Sequence, residues 1–172
     1  VTVIGTSINV AMSALLAYPL SLKNLPGKRI LNFYIFFTML FNGGLVPTYL
    51  MYTGIFHINN TLLAYIVPGL LMSAMNVMLI RTFFATSIPD ALFEAAQIDG
   101  ASQFQIFFKI VFPLGKPILI AMGLLSGLGY WNDWTNGLYY IRDTKLYGIQ
   151  NLLNKMISDL TALTQNASGA ST

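Results

Sequence analysis

An all-α membrane domain is the fold class that this 172-residue sequence predicts, and three observations carry the prediction. Hydrophobic residues make up 55% of the chain and charged residues only 9%, against roughly 25% charged in an ordinary soluble domain. The mean hydropathy is +0.64. Long apolar stretches recur that match the ~20 helical residues needed to cross a hydrocarbon core of ~30 Å. The formal net charge of +3 is small and its Lys and Arg are scattered, which excludes a nucleic-acid surface built from clustered cations. There is no Cys, so disulfide frameworks and thiolate metal sites are excluded as well. The first cation is Lys23 and the first residue is Val1, so the basic start of a secretory leader is missing.

Taken in order, the first span is predicted from Val3 to Leu22. Thr2, Thr6, Asn9 and Ser13 interrupt it at steps of four, three and four, which stacks them on one helical face turned toward a bundle. A second span runs from Ile30 to Tyr52, with "NGGLVP" at Asn42 to Pro47 expected to bend or unwind it; broken backbone at that depth needs protein or water beside it. The third, Leu62 to Phe84, holds one charge, Arg81, placed to snorkel to headgroups. The fourth covers Leu114 to Tyr139, where Gly123 and Gly127 form a GxxxG pair that either admits a close neighbour or simply reflects a glycine-rich helix. The eight Met read as pliable packing.

Cytoplasmic loops collect Lys and Arg. Lys23, Lys28 and Arg29 follow the first span, and Arg81, Lys109 and Lys116 bracket the loop after the third, while the loop between spans two and three holds only His57. The segment 85–113 is thereby placed in the cytoplasm, and Val1 and the tail 140–172 outside. A chain that starts outside implies at least one earlier helix. The tail is polar toward its end and is expected to be an external loop without a further span, cut short or disordered.

Half of the six carboxylates, Asp90, Glu94 and Asp99, fall within ten residues of this cytoplasmic segment. Ser87 is a candidate N-cap and Pro89 suits an early helical turn. Asp90 and Glu94 are placed where a helix dipole favours acids, and Gly100 ends the piece. A helix from Pro89 to Asp99 would measure ~16 Å, about half a bilayer crossing, so it must lie on the membrane surface. A second helix begins near Ser102 and carries Phe104, Phe107, Phe108 and Val111 as a greasy docking side until Pro113 breaks it. Two readings remain open on the residues alone. The acids and small residues are ordinary helix-start and turn residues, or they form an outward face that enters a cleft in another protein.

Glu94-Ala95-Ala96, then Gly100, then Ile110 and Pro113 resemble the EAA loop of ABC-importer permeases: EAA, three residues, Gly, nine residues, Ile, one residue, Leu-Pro. Every spacing matches, and Phe112 replaces the usual Leu. Asp99, Ala101, Phe107 and Pro117 are similar to the sugar-importer branch; "YWNDW" at Tyr130 to Trp134 and "LYGIQNLL" at Leu146 to Leu153 look like MalG-like permeases. "NGGLVPTYL" at Asn42 to Leu50 is similar to the subset associated with complex oligosaccharides. The resemblance covers nearly the whole chain, without counterparts to the family's first and final helices. It implies a type I ABC-importer transmembrane domain in a bacterial cytoplasmic membrane, crossing it several times.

The same resemblance implies the partners: a cytoplasmic ATP-binding subunit dimer, a homologous second permease and an extracytoplasmic solute-binding protein. Glu94 would anchor the coupling helix in the ATPase cleft, Ala95 and Ala96 would pack closely there, with Asp99 and Ala101 beside them and Gly100 as the turn. The chain itself has no GxxxxGK[ST] phosphate loop, since "PGKR" and "LGKP" lack its frame, so it is expected to be non-catalytic, with no cofactor. For the solute route, Asn76 inside the third span and Tyr130, Trp131, Asn132, Asp133 and Trp134 near the end of the fourth are candidates. Aromatic faces with amides and a carboxylate suit sugars; the same aromatics also suit a membrane interface. His57 is a lone exposed histidine and no metal site is expected. A secondary transporter or channel is the rival reading, since polar-striped and broken helices suit any solute pathway. A membrane enzyme is disfavoured, because no acid pair or activated nucleophile lies in the spans.

Overall fold

The computed structural model describes residues 1–23, 25–69 and 71–169. Among them every regular element is helical: α1 (Thr2–Ser21), α2 (Lys28–Leu40), α3 (Leu45–Leu50), α4 (Leu63–Ile66), α5 (Ala74–Ser87), α6 (Asp90–Ile98), α7 (Gln103–Ile106), α8 (Phe112–Leu114), α9 (Lys116–Trp131), α10 (Thr135–Tyr140) and α11 (Ile149–Gly169). π turns extend α3 through Met51–Ile55 and join α7 to α8 through Phe107–Val111. The chain divides into two compact units. The α1 unit holds Thr2–Asn42 and Gly69–Gly127; the α11 unit holds Gly43–Pro68 and the residues from Leu128 onward.

Within the α1 unit, the predicted polar stripe does face inward: Asn9 is 2% exposed and Ser13 fully buried. Ala14, Ala17 and Leu20 continue that face into a core shared with Val77, Ile80 and Phe84 of α5, and with Ile106, Phe107 and Val111. The GxxxG pair meets α1, because a Cβ on Gly123 would lie 3.6 Å from Val10 and one on Gly127 3.5 Å from Thr6. Those are ordinary contact distances, so the approach is close without demanding glycine. Arg81 turns back onto α1. Its Nε donates to the Leu20 carbonyl at 3.1 Å, and Lys28 Nζ donates to Leu22 at 2.7 Å. Two cations thus cover orphan carbonyls at the end of α1, where the helix dipole favours them.

The predicted spans break where backbone chemistry dictates. α1 alone among the described helices is long and apolar enough to cross a membrane; α2 with α3, and α7–α8 with α9, pass the same test as bent pairs. The second span interrupts between Phe41 and Gly44, at the expected glycines, and stays helical to Ile55. The third is not one helix. Pro68 and Gly69 separate a four-residue α4 from α5, which runs on to Ser87. The fourth starts at Lys116 and stops at Trp131, with α10 after the break.

In the α11 unit, Tyr49 stacks on Tyr140 at 5.6 Å and Tyr52 meets the same ring edge-on. Asn60, at φ 57°, accepts from the backbone N–H groups of Arg142 and Asp143. The tail is a helix rather than a loop: α11 runs 21 residues to Gly169, and 170–172 lie outside the described residues. Its Ile149, Leu152, Leu153, Met156, Ile157 and Leu160 recur at helical spacing and are exposed, which is an amphipathic pattern that "NKMISDL" conceals when read for spans alone.

Candidate functional site

The acid-bearing segment folds as a short helix followed by a tight reversal. α6 begins at Asp90 with Pro89 as its extended N-cap, whose fixed φ of −62° suits that position, while Ser87 closes α5 and caps nothing. Asp90 therefore occupies the first turn and Glu94 does not. At the other end Gly100 takes φ 76°, donating to the Gln97 carbonyl, and Ala101 donates to the Ala96 carbonyl at 2.9 Å. This pair of bonds is a Schellman ending, which requires a left-handed residue and favours an apolar contact between Ala96 and Ala101. Both alanines pack in the core of the α1 unit, Ala96 at 8% exposed.

That geometry revises the expected surface. Ala96 is turned inward as the anchor of the reversal, whereas Glu94, Ala95, Ile98, Asp99 and Gly100 are exposed. The second helix starts where expected, with a capping box between Ser102 and Gln105. Its greasy side is different: Phe104 and Phe108 are 72% and 59% exposed, and Ile106, Phe107 and Val111 are buried instead. The π turn over Phe107–Val111 adds a residue to the helical turn and rotates the buried face. It also lets Pro113 sit inside the helix. The break comes at Gly115, where the axis turns by 76° into α9.

The segment is tied to α1 at several points. Tyr18 donates its hydroxyl to Gln103 Oε1 at 2.7 Å, and its ring lies 6.5 Å from Phe93 and 5.3 Å from Phe107. Lys23 forms an ion pair with Asp90. The hydrogen bond and the charge of Asp90 raise the Lys23 pKa above its ordinary value. Tyr18, Lys23, Asp90, Phe93 and Gln103, with Leu25, Phe84, Ile88, Glu94 and Gln97, border a cavity of about 530 Å³ beside α6.

The proposed solute residues separate. Asn76 lies in the α1 unit, where its amide donates to Asn9 Oδ1 at 3.3 Å and to Ser126 Oγ at 3.0 Å; the Ser126 hydroxyl donates to Asn9 Oδ1 at 3.0 Å. Three helices are pinned by one polar cluster. Tyr130 to Trp134 belong to the α11 unit. Tyr130 is buried and donates to the Ile66 carbonyl, and Asp133 accepts from the backbone N–H and side-chain amide of Asn136. Trp131, Asn132 and Trp134 are exposed. Asn151, within "LYGIQNLL", was not singled out by its sequence although it is buried. It donates to the Trp134 carbonyl at 2.8 Å and accepts from the Tyr65 hydroxyl. Its periodicity on α11, opposite the exposed aliphatic stripe, is the signal that marks it. His57 is exposed, and no cluster of metal-ligating side chains occurs among the described residues.

Comparison with known proteins decides the family. Residues 7–168 match the family described as binding-protein-dependent transport system inner membrane component. The chain belongs to that family. Among its relatives, the polygalacturonan/rhamnogalacturonan transport system permease protein YtcP of Bacillus subtilis is 38% identical over 157 residues, covering 91% of this chain and 54% of the relative. Protein LplC of the same organism is 35% identical over 164 residues, covering 94% and 55%. This family member thus spans about half the length of the curated relatives it matches. A solved structure of a bacterial ABC transporter involved in import of the acidic polysaccharide alginate superimposes with a TM-score of 0.73 at 28% identity, over 91% of this chain and 61% of that one. The expected fold class, an importer transmembrane domain built from helices, holds.

Proposed function

We propose that the chain is the membrane-crossing part of a permease in an ATP-driven, binding-protein-dependent carbohydrate importer, and that α6 is its coupling helix. The observation that carries this reading is the exposed face of α6, Glu94, Ala95, Ile98 and Asp99, held out by a reversal that turns at Gly100 and whose Ala96 and Ala101 are committed to the chain's own packing. Glu94 serves as the anchoring acid in a cleft of a cytoplasmic ATPase, with Ala95 giving close approach and Asp99 adding charge. When ATP closes an ATPase dimer the seated helices move, and packed interfaces turn that motion into a switch between discrete states. The partners are that dimer, a second permease and an extracytoplasmic binding protein, in a bacterial cytoplasmic membrane crossed several times. The chain supplies no catalytic group.

Carbohydrate is favoured as the solute by the relatives, which include a melibiose/raffinose/stachyose import permease of Bacillus subtilis. The exposed Trp131, Asn132 and Trp134 offer ring faces and an amide to such a solute. Tyr130 and Asp133 position them, and Asn76 acts as a helix clamp. The test is co-purification of the full-length protein with its ATPase, followed by uptake of labelled oligogalacturonides, raffinose and arabino-oligosaccharides. Glu94→Arg is expected to abolish ATP-driven uptake with membrane insertion intact. Unchanged uptake, or uptake with no ATPase present, favours a secondary transporter or channel instead.

A further inference from the structure

We propose that Tyr18 is the positioning residue through which α1 follows the coupling segment, so that α1, α6 and α7 move as one body; this rests on the importer reading above. α6 offers little of its own to hold it in place, since Ala96 is its one buried residue. A handle so lightly attached would pivot on its seat when pulled. Tyr18 supplies what is missing. At 7% exposed, it is the only aromatic side chain of α1, and it reaches both halves of the segment. Its ring is wedged between Phe93 of α6 and Phe107 of the π turn, and its hydroxyl bonds Gln103 in the first turn of α7. The contacts fall on either side of the Gly100 reversal, and so fix the angle between α6 and α7 as well as their position on α1.

The other strap is weaker. The Lys23 and Asp90 side chains are 74% and 52% exposed, and ion pairs in water contribute little. The Tyr18 bond is partly buried, between neutral groups and insensitive to salt. Gln103 is exposed and can turn to water when the bond is lost, so the loss reads as that of one ordinary hydrogen bond. On either side of Tyr18 along α1, Ala14, Ala17 and Leu20 are packed into the core, so displacement of the Tyr18 ring away from the cavity it borders is passed along α1.

The experiment places spin labels at Ile4 and Leu92, both exposed and outside the α6 face proposed to meet the ATPase, on the full-length permease assembled with its ATPase, and measures their separation with and without ATP. One unchanged distance in both nucleotide states is expected for the natural sequence. Tyr18→Phe keeps the ring wedge and removes only the hydroxyl; it is expected to raise a second, detached distance population about fivefold, the factor that loss of a single hydrogen bond sets. Gln103→Leu should do the same, and the double variant no more than either. A distance that shifts with ATP in the natural sequence overturns the proposal, as do single variants that leave the distribution unaltered or effects that simply add. Failure of the importer reading is seen separately, as absence of a co-purifying ATPase; the labelled permease alone then still reports whether the hydroxyl holds α6 to α1.

Discussion

Gly115 marks the place where the acid-bearing segment turns into α9, and replacing it with alanine is the sharpest test of that corner. A Cβ there would lie 2.5 Å from Cε1 and 3.2 Å from Cζ of Phe84, and 2.9 Å from the Val111 carbonyl oxygen. Carbon atoms rest at about 3.5–4.0 Å, so the ring edge must retreat by about 1 Å. Any retreat has to be into the cavity it borders beside α6. Phe84 is fully buried, with Ile80, Ile106 and Val111 equally enclosed around the same core. The carbonyl cannot yield without lengthening the 2.7 Å bond it accepts from the Gly115 N–H. Overpacking of this kind costs about 1–3 kcal/mol, and two simultaneous clashes place Gly115→Ala near the top of that range. The assay is reversible unfolding of the full-length protein in mixed micelles, run as a double-mutant cycle with Phe84→Leu. Trimming the ring opens the space that the methyl needs, so the double variant should recover about 1 kcal/mol relative to the sum of the single effects. Penalties that add within about 0.5 kcal/mol would refute the reasoning, because the methyl and the ring would then not compete for the same volume.

Two further outcomes follow from the α1 unit. In the polar cluster the three bonds close a triangle, so removal of Asn9 leaves the Asn76–Ser126 bond and removal of Asn76 leaves the Ser126–Asn9 bond. Asn9→Leu and Asn76→Leu each lose two bonds and should therefore destabilise by similar amounts, on the order of 0.6–2 kcal/mol by the same unfolding assay; a loss confined to one of the two would show that the cluster does not act as a triangle. The Lys23–Asp90 pair makes the opposite prediction. A lysine whose pKa is raised in the fold contributes stability that is present below its unfolded value and lost as pH rises through the folded one. Stability should thus be flat from about pH 6 to 9, fall only in more alkaline solution, and be nearly indifferent to Asp90→Asn; a marked loss near neutrality would contradict the exposed pair.

What the chain's order of residues determines by itself is whatever depends on composition and short spacing. Its apolar content demands lipid, the Thr2–Thr6–Asn9–Ser13 steps demand a buried face, and Gly100 reads as a helix end because a Schellman reversal needs a residue free to take positive φ; the frame from Glu94 to Gly100 is legible only by its resemblance to a known loop. Tertiary structure decided the rest. Which of two neighbouring alanines turns inward, where the phenylalanines after Ser102 point, and which polar groups meet Asn76 all depend on partners distant in the chain, and a single π turn rotated the buried face away from Phe104 and Phe108. The third span looked continuous because hydropathy averages over Pro68 and Gly69, and the tail looked like a loop because its apolar residues are spaced for a helix face rather than a crossing. Local spacing specifies what a backbone can do; the packing of helices far apart in sequence selects which side chains are left to act.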